Sequence, residues 1–247
     1  MREWFENESF WREMYPYMFD AARFAAADEQ VRQVLKLAGR RRGAVLDLCC
    51  GPGRHSVAFA QRGFRVSGVD RTRFLLNKAR QFARKAKVPV EFVQSDMRKF
   101  VRPDSFDLAV NLFTSFGYFD NKNDDLMVLK NVHASLKPGG VFVMDMAGKE
   151  RLAKVFQPVH STQHADGTVL IEVHEIFDDW TRIRNEWILL KGDKSLRFKF
   201  HHTIYSGQEL KALLHQAGFT KIKLYGDFEA HPYGPNSTRL VAVAYKG

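Results

Sequence analysis

The stretch VLDLCCGPGRHS, residues 45–56, decides how the rest of the chain is read. A short apolar run carries the acid Asp47, and the chain then crosses a turn with Gly51 and Gly53 one residue apart. A buried strand that runs into a glycine turn and then a helix lets backbone close on a nucleotide. The question is which nucleotide.

Working outward, AVLDL (44–48) reads as a buried strand and 54–62 as a helix stopped at Gly63. FRVSGVD (64–70) is a strand, and 72–86 a helix with Phe74, Leu75, Ala79 and Phe82 on one side. VEFVQ (90–94) and FDLAVNLF (106–113) are strands, 123–136 is a helix ended by KPGG, and VFVMDM (141–146) is a strand. This alternation predicts a parallel, doubly wound α/β sheet, covered on both faces, with ligands at the carboxyl ends of its strands.

The pattern changes after Met146. A short helix is expected over 149–156. The runs 168–177, 181–190 and 195–205 then alternate with period two, joined by connections short enough for hairpins. They predict a small antiparallel sheet inserted into the larger fold. A helix over 207–216 and strands over 220–228 and 237–246 close the main sheet. The expected division is 1–146 plus 206–247 as the nucleotide-binding domain and 147–205 as an inserted β subdomain on the substrate side. Upstream of the main sheet, residues 20–37 fit one amphipathic helix. Residues 1–19 carry seven aromatics, and residues 1–40 are expected to form a helical lid.

The chain has 247 residues, enough for one large core. It holds no apolar run of the roughly 20 residues that crosses a bilayer, and its first residues do not read as a signal peptide. A cytoplasmic protein with no membrane partner is expected. The two cysteines, Cys49 and Cys50, are adjacent, which excludes a disulfide framework and a four-cysteine zinc site; no metal site is expected. The net charge of +10 leaves a nucleic-acid partner as the less favoured alternative to a solvated basic face. A monomer and a homodimer are both compatible with these features.

Three nucleotide chemistries compete for the turn. A phosphate-binding loop requires Gly-Lys-Ser/Thr, and Gly53, Arg54 and His55 do not supply it. A dinucleotide fingerprint requires a third glycine where Ser56 stands. S-adenosylmethionine carries no phosphate. It needs a tight turn and a carboxylate ending the second strand for its ribose hydroxyls. Asp70 stands there, although an acid in that place also serves NAD.

At these residues the chain resembles the class I S-adenosylmethionine-dependent methyltransferases, over most of its length. VLDLCCGPG matches their first motif, with Asp47, Gly51 and Gly53 in place and Cys49 where many members have glycine. Asp70 matches the second-strand acid. Asp96, with Met97 beside it, matches the acid near the adenine amine. FDLAVNLFTSFGYF matches the fourth-strand motif, and LKPGGVFVMDM the segment through strand 5. The layout with its inserted antiparallel sheet is similar to small bacterial methyltransferases and to sugar N,N-dimethyltransferases. The resemblance implies a seven-stranded Rossmann-like sheet and S-adenosylmethionine as cofactor, with S-adenosylhomocysteine as product. It implies a donor pocket of Asp47, Cys49, Gly51, Gly53, Asp70, Arg71, Asp96, Met97 and Asn111, with Tyr15 from the lid.

Methyl transfer from a sulfonium is an in-line displacement, so the protein mainly aligns the nucleophile, excludes water and removes a proton. Tyr118 follows the fourth strand, where the methyl emerges. His201 and His202 lie on opposite faces of one predicted strand and are the candidate bases. Each also has a structural reading, as a packed ring or a strand residue. The expected acceptor is an amine or hydroxyl of a small molecule. The alternatives are an RNA methyltransferase and a non-catalytic S-adenosylmethionine-binding protein. The run Asn111-Leu112-Phe113-Thr114 departs from the Asn/Asp-Pro-Pro-aromatic run of enzymes that methylate a base's exocyclic amine.

Overall fold

The structure, a computed structural model, describes residues 3–247. After a 3-10 turn at Trp4–Glu6 come α1 (Glu8–Met18), α2 (Ala21–Ala25) and α3 (Ala27–Ala38). The single helix expected over 20–37 is therefore two. Asp20 caps α2 by accepting the Arg23 N–H at 2.8 Å, and Ala26, with near-helical backbone, is both the last cap of α2 and the first cap of α3.

The alternating half follows as β1 (Ala44–Leu48), α4 (Arg54–Gln61), β2 (Arg65–Asp70), α5 (Arg73–Ala86), β3 (Glu91–Gln94), β4 (Phe106–Asn111), α6 (Lys122–Ser135) and β5 (Leu136–Met146). Next come α7 (Lys149–Val155), β6 (Val159–Gln163), β7 (Val169–Phe177), β8 (Arg182–Lys191) and β9 (Lys194–Thr203). The chain ends with α8 (Gly207–Gln216), β10 (Lys221–Tyr225) and β11 (Leu240–Tyr245).

The main sheet has seven strands in the order β3-β2-β1-β4-β5-β11-β10. The first five are parallel, and β11 runs antiparallel to both its neighbours. All five residues of β1 are buried, as a central strand covered on both faces requires. One face packs Leu46, Leu129, Phe142 and Leu210. The other packs Val31, Val34, Val45 and Phe59 beneath α3 and α4.

The second sheet is antiparallel, in the order β6-β7-β8-β9. Three of its strands match the expected alternating runs. The fourth, β6, was not anticipated: its sequence, Val-His-Ser-Thr-Gln, is largely exposed and has no apolar alternation. Phe10 and Met14 of α1 are fully covered and form a third core with Leu170, Leu189 and Phe200 of this sheet. Tyr17 adds a polar stitch, bonding Asp166 at 3.1 Å and Thr168 at 3.0 Å. The aromatic N-terminal segment is thus fastened to the second sheet by burial. Among the described residues, no helix is long and apolar enough to cross a membrane.

Candidate active site

The strand connections reverse direction at β1, which has β2 on one side and β4 on the other. The carboxyl ends of strands at such a switch point leave a crevice. A cavity of about 300 Å³ lies there, roofed by residues of the N-terminal segment and walled on its far side by the second sheet.

One side is built from the turn after β1. Cys49 and Gly51 line the cavity and have φ of 62° and 55°. Glycine takes this left-handed conformation freely, whereas cysteine pays a steric cost of roughly 1–2 kcal/mol. A Cβ on Gly51 would project into the space between the turn and the Phe19 ring, 3.7 Å away. Gly53 serves packing instead: with φ of 79°, its hydrogen lies where a Cβ would come 2.9 Å from the Ala79 Cβ of α5. Asp47 does not line the cavity. It is buried, accepts the Ser56 hydroxyl at 2.5 Å, and burial pushes its carboxyl up to about 6. Its role is to fasten β1 to α4.

Asp70 ends β2 on the cavity wall and is 9% exposed. It accepts the Gly51 N–H at 2.9 Å and the Thr72 N–H at 2.8 Å. Burial raises its carboxyl pKa, and these backbone donors oppose the rise. A carboxylate has about four acceptor positions, so two remain for a ligand's hydroxyls. Met97 lines the same region, its sulfur 3.5 Å from the Cys49 sulfur. Asn111 is buried below the cavity and donates to the Leu48 carbonyl at 3.2 Å.

Asp96 also lines the cavity, but its oxygens are engaged by arginine. Arg98 donates to it through its backbone N–H at 2.8 Å and through its guanidinium at 2.7 Å, and Arg71 pairs with the same carboxylate. Burial pushes the Asp96 carboxyl up, but the Arg98 hydrogen bonds and charge outweigh it and leave the pKa below its ordinary value. Arg71 also pairs with Glu6 and lies 5.3 Å over the Phe5 ring, while Arg98 pairs with Glu3 at 3.0 Å and Asp124 at 3.1 Å. These two arginines tie the N-terminal segment down at the edge of the cavity.

The opposite side is aromatic and neutral. Tyr118, Asn185, Trp187, Phe200 and His202 line it, with Trp4 from the N-terminal segment. The Tyr118 ring lies 4.9 Å from His202 and 5.2 Å from Trp4. Among the described residues its hydroxyl has no hydrogen-bond partner, and burial pushes the phenol pKa further up. Burial pushes His202 down to about 4, with the neighbouring His201 and His174 adding to the effect. It is therefore a neutral imidazole at pH 7, able to accept a proton. Asn185 stands between His202, at 3.5 Å, and His174, at 2.8 Å.

The structure separates the two histidines of β9, since adjacent strand residues face opposite ways. His201 lies outside the cavity lining, with its Nε2 2.6 Å from Asp120. Tyr15 is outside it too, packed 5.5 Å from Phe19 and 5.7 Å from Phe74. The lid residues that do line the cavity include Trp4, Phe5, Trp11 and Phe19. Asn185 and Trp187 were not anticipated, because nothing local distinguishes the cavity face of β8 from its outer face.

Residues 45–140 match the family model described as a methyltransferase domain. A glycine/sarcosine N-methyltransferase of Aphanothece halophytica is 29% identical over 230 residues, covering 91% of this chain and 83% of that protein. Among solved structures, an S-adenosylmethionine-dependent methyltransferase from Clostridium acetobutylicum ATCC 824 superposes with a TM-score of 0.80. It is 15% identical, and the match covers 97% of this chain and 98% of the other. The sugar N-methyltransferase KedS8 from Streptoalloteichus sp ATCC 53650 superposes with a TM-score of 0.69 at 19% identity, covering 93% and 90%. The likeness in fold thus extends beyond residues 45–140 to nearly the whole chain.

Proposed function

We propose that the chain is an S-adenosylmethionine-dependent methyltransferase acting on an amine or hydroxyl of a small molecule. One observation carries this reading. A single cavity joins the glycine turn and Asp70 on one side to Tyr118 and His202 on the other. The names of relatives that methylate glycine and sarcosine support a small acceptor.

The donor fits the residues present. The open acceptor positions of Asp70 suit a ribose diol, Met97 and Leu75 offer an apolar wall for a base, and the turn at Gly51 leaves room for a chain beside it. When bound, it supplies a methyl on a sulfonium, which passes to the acceptor as the carbon–sulfur electron pair returns to sulfur. Tyr118 orients the acceptor through its free hydroxyl. His202, neutral at pH 7, takes the proton released from the attacking atom. The aromatic roof excludes water, and alignment within the closed cavity supplies much of the rate gain, about 7–11 kcal/mol in the best-ordered systems. Residues 147–205 serve as the acceptor-side subdomain and 1–40 as its lid.

The test is to incubate the purified chain with S-adenosylmethionine and a panel of small amines, hydroxylated compounds and RNA oligonucleotides, and to measure S-adenosylhomocysteine. Acceptor-dependent product with a small molecule supports the reading. Turnover with RNA alone replaces the acceptor class, and tight binding without turnover on any acceptor contradicts an enzyme.

A further inference from the structure

Among the described residues, the far end of the cavity carries no charged side chain. The charged lining residues are Arg23, Arg54, Asp70, Arg71 and Asp96, which come from α2, the start of α4 and the ends of β2 and β3. The second sheet contributes only Asn185, Trp187, Phe200 and His202. Strand alternation puts these four on one face, with Asn185 opposite Phe200 in the register of β8 and β9. Arg184, Glu186, Arg197 and Lys199 fall on the other face, where Glu186 lies 3.1 Å from Arg197 and 3.7 Å from Lys199. Glu172, opposite Trp187 in the register of β7 and β8, does not line the cavity.

What faces this space is aromatic. Trp4 and Trp11 of the N-terminal segment and Tyr118 of the loop after β4 complete the wall with Trp187 and Phe200. Trp4 lies at the centre of the cluster, 5.2 Å from Tyr118, 5.8 Å from Trp11 and stacked 4.6 Å from Phe200. Polar handles are few. Asn185 is taken by His174 and His202, and the indole N–H groups of Trp4 and Trp187 are buried. The Tyr118 hydroxyl and one ring nitrogen of His202 remain without a partner among the described residues. Burial keeps both groups neutral at pH 7. Two neutral handles suit one hydroxyl or amino group and not the several hydroxyls of a sugar. Nothing on this side offsets the desolvation of a carboxylate or phosphate. An ammonium can rest on aromatic faces, but it has no lone pair with which to accept a methyl.

We infer that this end of the cavity is the site of an uncharged aromatic acceptor, which packs against Trp4, Trp187 and Phe200 and presents a hydroxyl or amino group on its ring to Tyr118 and His202. This rests on the methyl-transfer reading above and narrows its acceptor class. Hydroxyl and amino groups on aromatic rings are uncharged at pH 7 and keep a lone pair, whereas aliphatic amines are protonated there. Aromatic walls favour a ring through stacked and edge-to-face contacts. The same walls discriminate against free amino acids, whose carboxylate would be buried among rings with no cation beside it.

The experiment compares catechol and aniline with their carboxylated twins, 3,4-dihydroxybenzoate and 4-aminobenzoate, and with glycine and glucosamine. Binding to the purified protein saturated with S-adenosylhomocysteine is read by saturation-transfer NMR titration, and methyl transfer from S-adenosylmethionine is read separately. Catechol or aniline should bind at least about 10-fold more tightly than its carboxylated twin, glycine or glucosamine. This arm needs no variant. Trp187→Leu should weaken the ring compound about 3–10-fold and change S-adenosylhomocysteine affinity by less than about 2-fold. Equal or tighter binding of the carboxylated twins, glycine or glucosamine overturns the proposal, as does absence of binding by both uncharged rings. Methyl transfer to glycine or glucosamine with catechol and aniline inert also overturns it. Ring binding with no methyl transfer to any compound upholds the aromatic site and contradicts the enzyme reading alone. Failure to bind S-adenosylhomocysteine overturns the donor reading, and the acceptor site with it.

Discussion

The Asp70 carboxylate, at the end of β2, accepts the backbone N–H of Gly51 in the turn after β1, at 2.9 Å. One side chain thus holds the shape of the turn and presents a carboxylate to the cavity. Asp70→Ala removes both. Donor affinity is expected to fall by more than about 100-fold, because a charge-assisted bond and the order of the turn go together. Asp70→Asn keeps an acceptor for Gly51 and should lose less. Titration of both variants with S-adenosylhomocysteine checks the order.

Tyr118 and His202 face the cavity together, and His201 does not. Tyr118→Phe and His202→Gln should each lower kcat about 10²–10⁴-fold if proton removal is required, with donor affinity changed by less than about 3-fold. His201→Ala should leave both near the parent's values. A loss at His201 equal to that at His202 contradicts the assignment of faces.

The pH response follows from the burial of His202. Its folded pKa is about 4, below the ordinary 6.5. Between those values the unfolded chain binds more protons than the folded one, so stability falls as pH falls from 6.5 toward 4 and is fully present above 6.5. The loss amounts to about 3 kcal/mol from this group. Thermal unfolding of the parent and His202→Gln across pH 4–7 should show a smaller acid loss in the variant.

Arg71 and Arg98 hold Glu3 and Glu6 to the edge of the cavity through partly exposed ion pairs. Pairs of this exposure are each worth about 0–1 kcal/mol and weaken with salt. The double variant Glu3→Gln with Glu6→Gln should bind S-adenosylhomocysteine about 5-fold more weakly and show a flatter dependence on sodium chloride. Stopped-flow binding rates should rise in the variant as the roof opens more readily.

The main sheet was legible because its signals are local. Val45 to Leu48 form a continuous apolar strand broken only by Asp47, and the turn, Asp70 and the LKPGG segment punctuate the elements around it. The second sheet was legible where β7, β8 and β9 alternate, and not at β6, whose register comes from pairing with β7 alone. The cavity was legible on the side of the glycine turn, where Gly51 and Asp70 sit at fixed spacing. It was less so where it depends on packing between distant segments. Asn185 and Trp187 reach the cavity through the register of β8. Arg71 and Arg98, which pair with Asp96, also reach Glu6 and Glu3 of the distant N-terminal segment.

The most direct measurement is calorimetric titration of the purified protein with S-adenosylmethionine, S-adenosylhomocysteine and NAD. The account predicts binding of the first two at micromolar concentrations and none of NAD. Absence of binding by both adenosyl compounds, or binding of NAD in their place, would contradict the reading of the cavity at Gly51 and Asp70.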